Sequence, residues 1–310
     1  MLAETPVQWL LGAQTPSIRY LTLRQLLGRP TDDAEVQIAW QEMKTAAPIP
    51  AILAEQTDKG SWSGERSYYT PKYTSTHWSL LLLAELSADA NEPRLKRGTE
   101  YMLSVTQREL EHSLQTGDYG WSCFWGNLLR YALHNGFAED ARLEAVVRHL
   151  IHDALAAGWR CEYNGETPCA WGAARALWGL AALPTPLRPS QWEKAIQSGL
   201  TFLLEDYDLV QANYPTRSRG KVSPHWFRPN FPLFYQADIL FVLRVLAELD
   251  ALKHPGVQAA LAWLESLRRA DGTWRGTSPY RRRTWSSLTD SQETDRWVTL
   301  HATWVLSRVS

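Results

Sequence analysis

The chain has 310 residues, a formal net charge of −1, sixteen tryptophans and three cysteines. This charge balance gives no broad basic field for nucleic acid and no acidic excess typical of a disordered chain. The longest apolar run, Leu80 to Ala84, is far shorter than the roughly 20 residues that a transmembrane helix needs. With no recognisable signal peptide, we expect a cytoplasmic protein with reduced thiols, no transmembrane segment and no nucleic-acid partner.

Apolar residues fall at helical spacing along most of the chain, as at Leu143, Val146, Val147 and Leu150, whereas strand patterns are nearly absent. The pattern predicts a short helix near 5–11 and longer helices over 16–28, 32–46, 74–88, 92–106, 122–136, 138–154, 168–182, 189–206, 232–250, 253–269 and 295–308. From residue 92 onward, helices with a charged back alternate with helices that are apolar around most of their circumference. The alternation predicts helix pairs arranged in an outer and an inner layer.

A short phrase, glycine followed closely by tryptophan, recurs ahead of predicted inner helices. Its copies are Gly60-Ser-Trp62, Gly120-Trp121, Gly158-Trp159 and Gly272-Thr-Trp274. An internal repeat of this length is typical of stacked units whose core grows as units are added. We therefore predict an all-α fold, a closed α/α toroid of about five to six helix pairs. Residues 1–310 would form one domain, with 1–50 as N-terminal helices packing on the ring, and an open helical solenoid is the alternative.

Two of these copies, Asp58-Lys-Gly-Ser-Trp62 and Asp271-Gly-Thr-Trp274, resemble the core of the QW repeats of squalene–hopene and other class II terpenoid cyclases. The order of outer and inner helices is similar to that of protein prenyltransferase β subunits. Segments such as PSIRYLTLRQLLGRP and KYTSTHWSLLLLAEL resemble a bacterial group described as prenyltransferase-like or squalene-cyclase-like, over nearly the whole chain. The resemblance implies a toroid that binds an apolar, isoprenoid-like ligand in a central cavity. If the protein is an enzyme, cyclisation or transfer of an isoprenoid is the implied reaction.

The motifs that carry these activities are absent from the sequence. Class II cyclases use an Asp-x-Asp-Asp acid, and the nearest candidate here is a single carboxyl, Asp238. We consider Asp238 a possible catalytic acid, against the alternative of an aspartate that faces the dipole of its own helix. Protein prenyltransferases hold zinc with an Asp-x-Cys pair and a distant histidine. The chain has no Asp-x-Cys, although Asp295 and His301 resemble the region around that histidine.

The three cysteines precede or begin predicted inner helices, which in a toroid would share one mouth. Cys123, Cys161 and Cys169 with His77 would form a standard tetrahedral zinc set of three thiolates and one imidazole. The alternatives are a Cys161–Cys169 disulfide and free thiols. No cofactor is predicted outright, and zinc is the candidate metal.

Aromatic and polar residues suggest a ligand site inside the ring. The predicted cavity wall consists of Trp78, Trp125, Trp171 and Trp178. Its rim would carry Arg160, Glu162, His225, Arg228 and His301, supplied partly by the long loops 207–231 and 270–294. Such a cavity suits an isoprenoid tail with a phosphate held by arginine.

Two other functions stay open from the sequence. Aromatic walls also stack on sugars, so a carbohydrate-active enzyme could use Glu162, Glu166 or Asp118 as its carboxylates. Alternatively, the tryptophans fill the axis and the arginine- and tryptophan-rich loops bind a protein partner without catalysis.

Overall fold

The structure is a computed structural model that describes residues 5–64, 67–117, 120–217, 220–285 and 291–309. Helix makes up 59% of it and strand 3%, so the chain belongs to the all-α class. Within the described ranges, every helix is too short or too polar to cross a bilayer. The described residues form a set of packed helices.

The helices begin and end close to the predicted positions. In chain order they are α1 (Pro6–Leu11), α2 (Pro16–Leu21), α3 (Ala34–Thr45), α4 (Ile49–Ala54), α5 (Thr76–Glu85), α6 (Pro93–Thr116), α7 (Ser122–His134), α8 (Ala141–His152), α9 (Ala170–Ala181), α10 (Trp192–Leu204), α11 (Ile239–Glu248), α12 (Gln258–Ser266) and α13 (Ser291–Ser307). Single π-helical turns, Thr22–Leu26 and Asp153–Ala157, continue α2 and α8. Strands β1 (Arg160–Cys161) and β2 (Thr167–Pro168) form a short antiparallel hairpin ahead of α9.

Alternate helices pack on one another. Helix α5 contacts α7, α7 contacts α9, α9 contacts α11, and α11 contacts α13. Contacts continue from α13 to α2, from α2 to α3, from α3 to α4, and from α4 back to α5. Helices α6, α8, α10 and α12 lie against this series, on α5, α7, α9 and α11 respectively. The inner helices α5, α9 and α11 are buried almost all round, whereas α6 buries one stripe, as the alternating patterns predict.

The closest helix contact joins α7 and α9 through two glycines. A Cβ atom at Gly126 would lie 2.3 Å from the carbonyl oxygen of Arg175, and one at Gly179 would lie 2.5 Å from the carbonyl oxygen of Gly126. Real Cβ atoms do not approach backbone so closely, so any side chain here would force the helices apart. The two glycines therefore allow α7 and α9 to approach closely at the level of Arg175.

The Gly-x-Trp phrase lies in the turn that leads into an inner helix. Trp62 is fully buried, and its indole Nε1 donates to the carbonyl oxygen of Ile52, at 2.7 Å, near the end of the preceding helix. Its backbone N–H donates to Oγ1 of Thr76, at 3.0 Å, at the start of the following helix. One tryptophan thus satisfies polar groups on both helices that it separates.

The second copy repeats both contacts. Nε1 of Trp274 donates to the carbonyl oxygen of Leu264 at 2.8 Å, and its backbone N–H donates to Oγ1 of Thr299 at 3.0 Å. The Gly-Trp copies without a spacer differ, because Trp121 and Trp159 themselves have positive φ angles, 57° and 63°. The four copies therefore divide into two structural types.

Three parts of the fold differ from the predicted elements. Helix α4 falls in a stretch, 49–54, where no helix is predicted, and α6 continues ten residues past residue 106, to Thr116. The predicted helix 232–250 begins only at Ile239, because Asp238 caps it. Residues 230–238 instead form an irregular segment, here called the plug segment, in which Phe231, Leu233, Phe234 and Ala237 are buried.

Candidate ligand pocket among the inner helices

A cavity of about 160 Å³ lies where the C-terminal halves of α5, α7, α9, α11 and α13 meet. We call it the inner pocket. Its charged and ring-bearing lining includes Glu85, Arg130, Trp178, Arg244, Glu248 and His301. Each of these five helices contributes at least one of these side chains. The pocket therefore forms only where the five helices converge.

The first ion pair of the inner pocket joins Arg130 and Glu248. Nη1 of Arg130 lies 2.5 Å from Oε2 of Glu248, and Nη2 lies 3.1 Å from Oε1, so the pair is bidentate. Nε1 of Trp178 donates to the same carboxylate at 3.3 Å, and the Arg130 guanidinium lies 4.6 Å from the centroid of the Trp178 ring. The charge of Glu248 is therefore fully engaged.

A second ion pair lies beside the pocket and is deeper. The Arg175 side chain is buried, with Nη1 3.7 Å from Oε1 of Glu85. Its Nε and Nη2 donate to the carbonyl oxygen of Gln236 at 3.0 and 2.6 Å, and its guanidinium lies 3.9 Å from the Phe241 ring. Burial lowers the pKa of Arg175 to about 10, which leaves it charged at neutral pH. Arg175 thus links α9 to the plug segment by hydrogen bonds and lies buried among the inner helices.

Arg244 is a third arginine in this region, and it belongs to neither of these ion pairs. Among the described residues, its guanidinium makes neither an ion pair nor a hydrogen bond, and its only aromatic contact is the Phe241 ring at 5.8 Å. Burial lowers the pKa of Arg244; Glu85 and Glu248 act in the opposite direction, and Arg130 adds to the lowering. Since both glutamates already have an arginine partner, the pocket carries one positive charge without a matching partner.

His301 stands beside Arg244 as a neutral ring. Burial, and then the charge of Arg244, hold the pKa of His301 well below its usual range. Its ring packs near Phe231 and Trp297, with centroids 5.9 and 5.8 Å away. A neutral imidazole both donates and accepts a hydrogen bond, so His301 can complement a ligand without adding charge.

The four predicted wall tryptophans do not line a single cavity. Trp178 lines the inner pocket, as His301 does, but Trp78 is fully buried and donates from Nε1 to the carbonyl oxygen of Tyr69 at 2.8 Å. Trp125 is buried on the other side of α7, near His149. Trp171 is half-buried and borders a separate surface pocket. Trp78 and Trp125 fill gaps between elements, where their large apolar area is buried, and the role of these three rings as a ligand wall stays a prediction.

Asp238 caps helix α11. Its Oδ1 accepts from the backbone N–H of Phe241 at 2.7 Å, and its Oδ2 accepts from the backbone N–H of Asn230 at 2.7 Å and from Asn230 Nδ2 at 3.1 Å. Burial raises the pKa of Asp238 to about 6, although these hydrogen bonds lower it. The carboxylate holds the plug segment to α11 and does not line the inner pocket. Its role as a catalytic acid stays a prediction.

The predicted rim residues other than His301 lie away from the inner pocket. Arg160, Glu162 and Glu166 are exposed on the hairpin ahead of α9, and none of them lines the inner pocket. His225 is half-buried and Arg228 exposed in the loop before the plug segment, again away from the pocket. Asp118, the remaining candidate carboxylate, lies outside the described residues. The hairpin and the loop 207–231 contact each other, because Nδ2 of Asn164 donates to the carbonyl oxygen of Pro215 at 3.0 Å, and the predicted rim stays a prediction.

The cysteines are close to one another, and all three are free thiols. The β1–β2 register, with Cys161 opposite Thr167, places Cys169 on the same face of the hairpin. A hydrogen bond from Cys169 lowers the pKa of Cys161, and burial raises the pKa of Cys123 to about 12, with Cys161 adding to the rise. The hairpin therefore makes Cys161 the most acidic of the three.

The fourth proposed metal ligand, His77, has a different environment. It is fully buried, its ring stacks on Phe124 with centroids 4.5 Å apart, and its Nδ1 lies 3.4 Å from the hydroxyl of Tyr131. Burial lowers the pKa of His77 to about 3. Over the described ranges, no group of three or more histidine, cysteine, aspartate or glutamate side chains is arranged to hold a metal ion. The residues present do not fit the zinc set that the sequence suggests.

Sequence reasoning missed Glu85, Arg130, Arg244 and Glu248. A signal was available, because charged residues are costly in a helix that is apolar all round. Helix α11 reads ILFVLRVLAE, so its charges fall at Arg244 and Glu248, four residues apart on one face. Charges on otherwise apolar inner helices thus mark this pocket better than the tryptophans do.

Comparison with known proteins adds no relative. Neither the protein-family models, nor the curated proteins, nor the solved structures contain a match to this chain.

Proposed function

We propose that the chain is an α/α toroid whose inner pocket binds a small anionic ligand. The toroid is supported by the order of helix contacts, which runs through α5, α7, α9, α11 and α13 and returns through α2, α3 and α4. It is also supported by the two equivalent Gly-x-Trp turns, which repeat the same pair of hydrogen bonds. A single domain over 1–310 and a cytoplasmic location belong to the same proposal.

The observation that carries the ligand proposal is the unpaired guanidinium of Arg244. Arg244 is half-buried at the lining of the pocket, where an unpaired charge loses part of its hydration, and an arginine binds carboxylate or phosphate through two parallel hydrogen bonds. Arg130 and Glu248 limit the remaining space, and His301 offers an uncharged hydrogen-bonding ring. The arrangement favours one anionic group bound beside Arg244.

The size of the pocket limits the ligand. A volume of about 160 Å³ is close to that of engineered cavities of about 150 Å³ that hold a benzene molecule. The ligand class is therefore a small carboxylate or a small monophosphate. An isoprenoid-like ligand stays a prediction: its anionic head would meet Arg244, and a long tail would require the helices to open.

The test is thermal unfolding of the purified chain with acetate, benzoate, inorganic phosphate, isopentenyl diphosphate and farnesyl diphosphate. A ligand at 100 times its dissociation constant stabilises by about 2.7 kcal/mol, which is easily measured. We expect a small anion to raise the melting temperature of the wild type, and Arg244→Gln to weaken its affinity at least about tenfold. Arg108→Gln, on the exposed side of α6, is the matched control and should leave the response unchanged.

The outcomes separate the competing explanations. Helix C-termini carry partial negative charge, so a purely structural Arg244 would only balance the surrounding helix ends. In that case Arg244→Gln would lower stability, and no anion would distinguish it from the wild type. A stronger response to farnesyl diphosphate than to isopentenyl diphosphate would instead favour the isoprenoid ligand. Stabilisation by a neutral oligosaccharide, added as a sixth probe, with no response to any of the anions would favour the carbohydrate-active alternative.

A further inference from the structure

A second, larger cavity lies at the surface between α1, the loop 275–283 and the first turn of α13. Its volume is about 840 Å³. We call it the arginine pocket. Its charged lining residues are Arg269, Arg275, Arg281, Arg282, Arg283 and Asp295. The inner pocket shares none of its lining residues, so the two are separate sites.

The charges of this pocket are strongly unbalanced. Asp295 is already engaged, because its Oδ2 lies 3.0 Å from Nη2 of Arg269 and its Oδ1 accepts from the backbone N–H of Gly276 at 2.7 Å. In the described part of the chain, the side chains of Arg275, Arg281 and Arg282 have neither an ion pair nor a hydrogen bond. Among the described residues, three guanidiniums around one cavity are therefore without an ion-pair partner.

The backbone that carries these arginines is held in place. The backbone N–H of Phe231 donates to the carbonyl oxygen of Thr277 at 3.0 Å, and Oγ1 of Thr277 is hydrogen-bonded to Oδ1 of Asn230. Gly276 packs so tightly that a Cβ atom would lie 2.5 Å from the carbonyl oxygen of Thr294. The arginines thus project from a loop fixed to the plug segment and α13, which lowers the entropy cost of binding.

Two further groups favour an anion in the same cavity. Ser278 lines the pocket, and among the described residues its buried hydroxyl has no hydrogen-bond partner; such a group is costly unless a ligand or water satisfies it. Gln292 lines the pocket from the second residue of α13, a helix of 17 residues. The N-terminal end of a helix carries partial positive charge and adds to the field of the arginines.

We propose that the arginine pocket binds a small molecule that bears two or more phosphate groups. Three free guanidiniums exceed what one carboxylate needs, whereas adjacent phosphates offer several oxygens for paired hydrogen bonds. The volume falls in the range of about 300–1,000 Å³ typical of small-molecule sites. The ring of Trp9, which also lines the pocket, supplies an apolar surface for an organic group beside the phosphates. The proposal does not depend on the ligand of the inner pocket.

Isothermal titration calorimetry on the full chain tests this proposal, with tripolyphosphate, ATP and inorganic phosphate as probes at two salt concentrations. We expect tripolyphosphate or ATP to bind at least about tenfold more tightly than inorganic phosphate, and binding to weaken with salt. The double variant Arg281→Gln/Arg282→Gln should lose at least about tenfold in affinity. The double variant Arg108→Gln/Arg148→Gln removes the same charge from exposed faces of α6 and α8 and should bind as the wild type does.

Several results would overturn the proposal. Equal losses in the two double variants would mean that only net charge matters, and an absence of binding by both polyphosphates would remove the site. Tighter binding of a short DNA duplex or an acidic peptide than of ATP would assign the arginines to a macromolecule. The variant Arg244→Gln should leave polyphosphate binding unchanged, which separates this site from the inner pocket. Circular dichroism of each variant checks that it is folded.

Discussion

Replacing Thr76 or Thr299 with valine removes one hydroxyl from the turn that Trp62 or Trp274 forms. Both threonines are fully buried, and each Oγ1 accepts the backbone N–H of its tryptophan at 3.0 Å. Valine has nearly the shape of threonine and the same β-branching, so packing changes little. The substitution therefore leaves a buried backbone N–H without its acceptor, and at Thr299 it also removes the longer bond, at 3.4 Å, from the hydroxyl to the carbonyl oxygen of Trp274.

The expected cost follows from that unpaired donor. A buried polar group that loses its partner costs about 1–3 kcal/mol, and each variant should lose about that much free energy of unfolding. For a large domain, about 2 °C of melting temperature corresponds to 1 kcal/mol, which gives a decrease of about 2–6 °C for each variant. The two turns share no hydrogen-bond partner, so the double variant should lose about the sum.

Thermal and urea unfolding followed by far-UV circular dichroism measure these losses. Thr45→Val is the matched control, because Thr45 is an exposed helical threonine, and its change should stay within about 0.5 kcal/mol. If both buried variants unfold at the same temperature as this control, the turns do not depend on the paired N–H. A loss in only one of them would mean that the two copies are not equivalent in energy.

Two further predictions concern groups near the start of α7 and α9. Burial raises the pKa of Asp153 from 3.8 to about 7, while Ser122 donates to its carboxylate. The folded state therefore binds the extra proton, and the free energy of unfolding falls by up to about 4 kcal/mol as pH rises from about 4 to about 7, since each pKa unit is worth about 1.4 kcal/mol. Asp153→Asn should remove this pH dependence, which melting temperatures measured over the range report. A melting temperature that rises over this pH range equally in wild type and variant would contradict the raised pKa. A hydrogen bond from the Cys169 thiol lowers the pKa of Cys161, so iodoacetamide should alkylate Cys161 at lower pH in the wild type than in Cys169→Ala. Mass spectrometry of the labelled peptide measures the alkylation rate at each pH. Coincident pH–rate curves for the two proteins would disprove the coupling.

The Gly-x-Trp phrase shows how far a repeat read from sequence extends into structure. It correctly marks helix-to-helix turns, and in two copies the tryptophan bonds to both neighbouring helices. It does not tell which tryptophans face a ligand. Trp125 and Trp178 both lie on helices that are largely apolar in sequence, yet of the two only Trp178 lines the inner pocket. Which side of such a helix faces the pocket is determined by the helices that pack around it.

The plug segment shows a second kind of limit. Residues 232–238 continue the apolar spacing of α11, so local periodicity extends the predicted helix over them. In the fold, Asp238 accepts the N–H of Phe241, which stops the helix, and Arg175 binds the carbonyl oxygen of Gln236 instead. A capping aspartate was visible in the sequence. The buried arginine that stabilises the irregular backbone, by donating to the carbonyl oxygen of Gln236, comes from another helix.

The sequence by itself determined the all-α class, most helix positions and the alternation of exposed and buried helices, because these follow from contacts within three or four residues. Only the tertiary structure decided which charges meet. Arg130 and Glu248 are 118 residues apart in the chain and form a bidentate pair, while Arg244, one helical turn from Glu248, has no ion-pair partner among the described residues. Such pairing depends on how helices distant in sequence converge, and local periodicity carries no information about that distance.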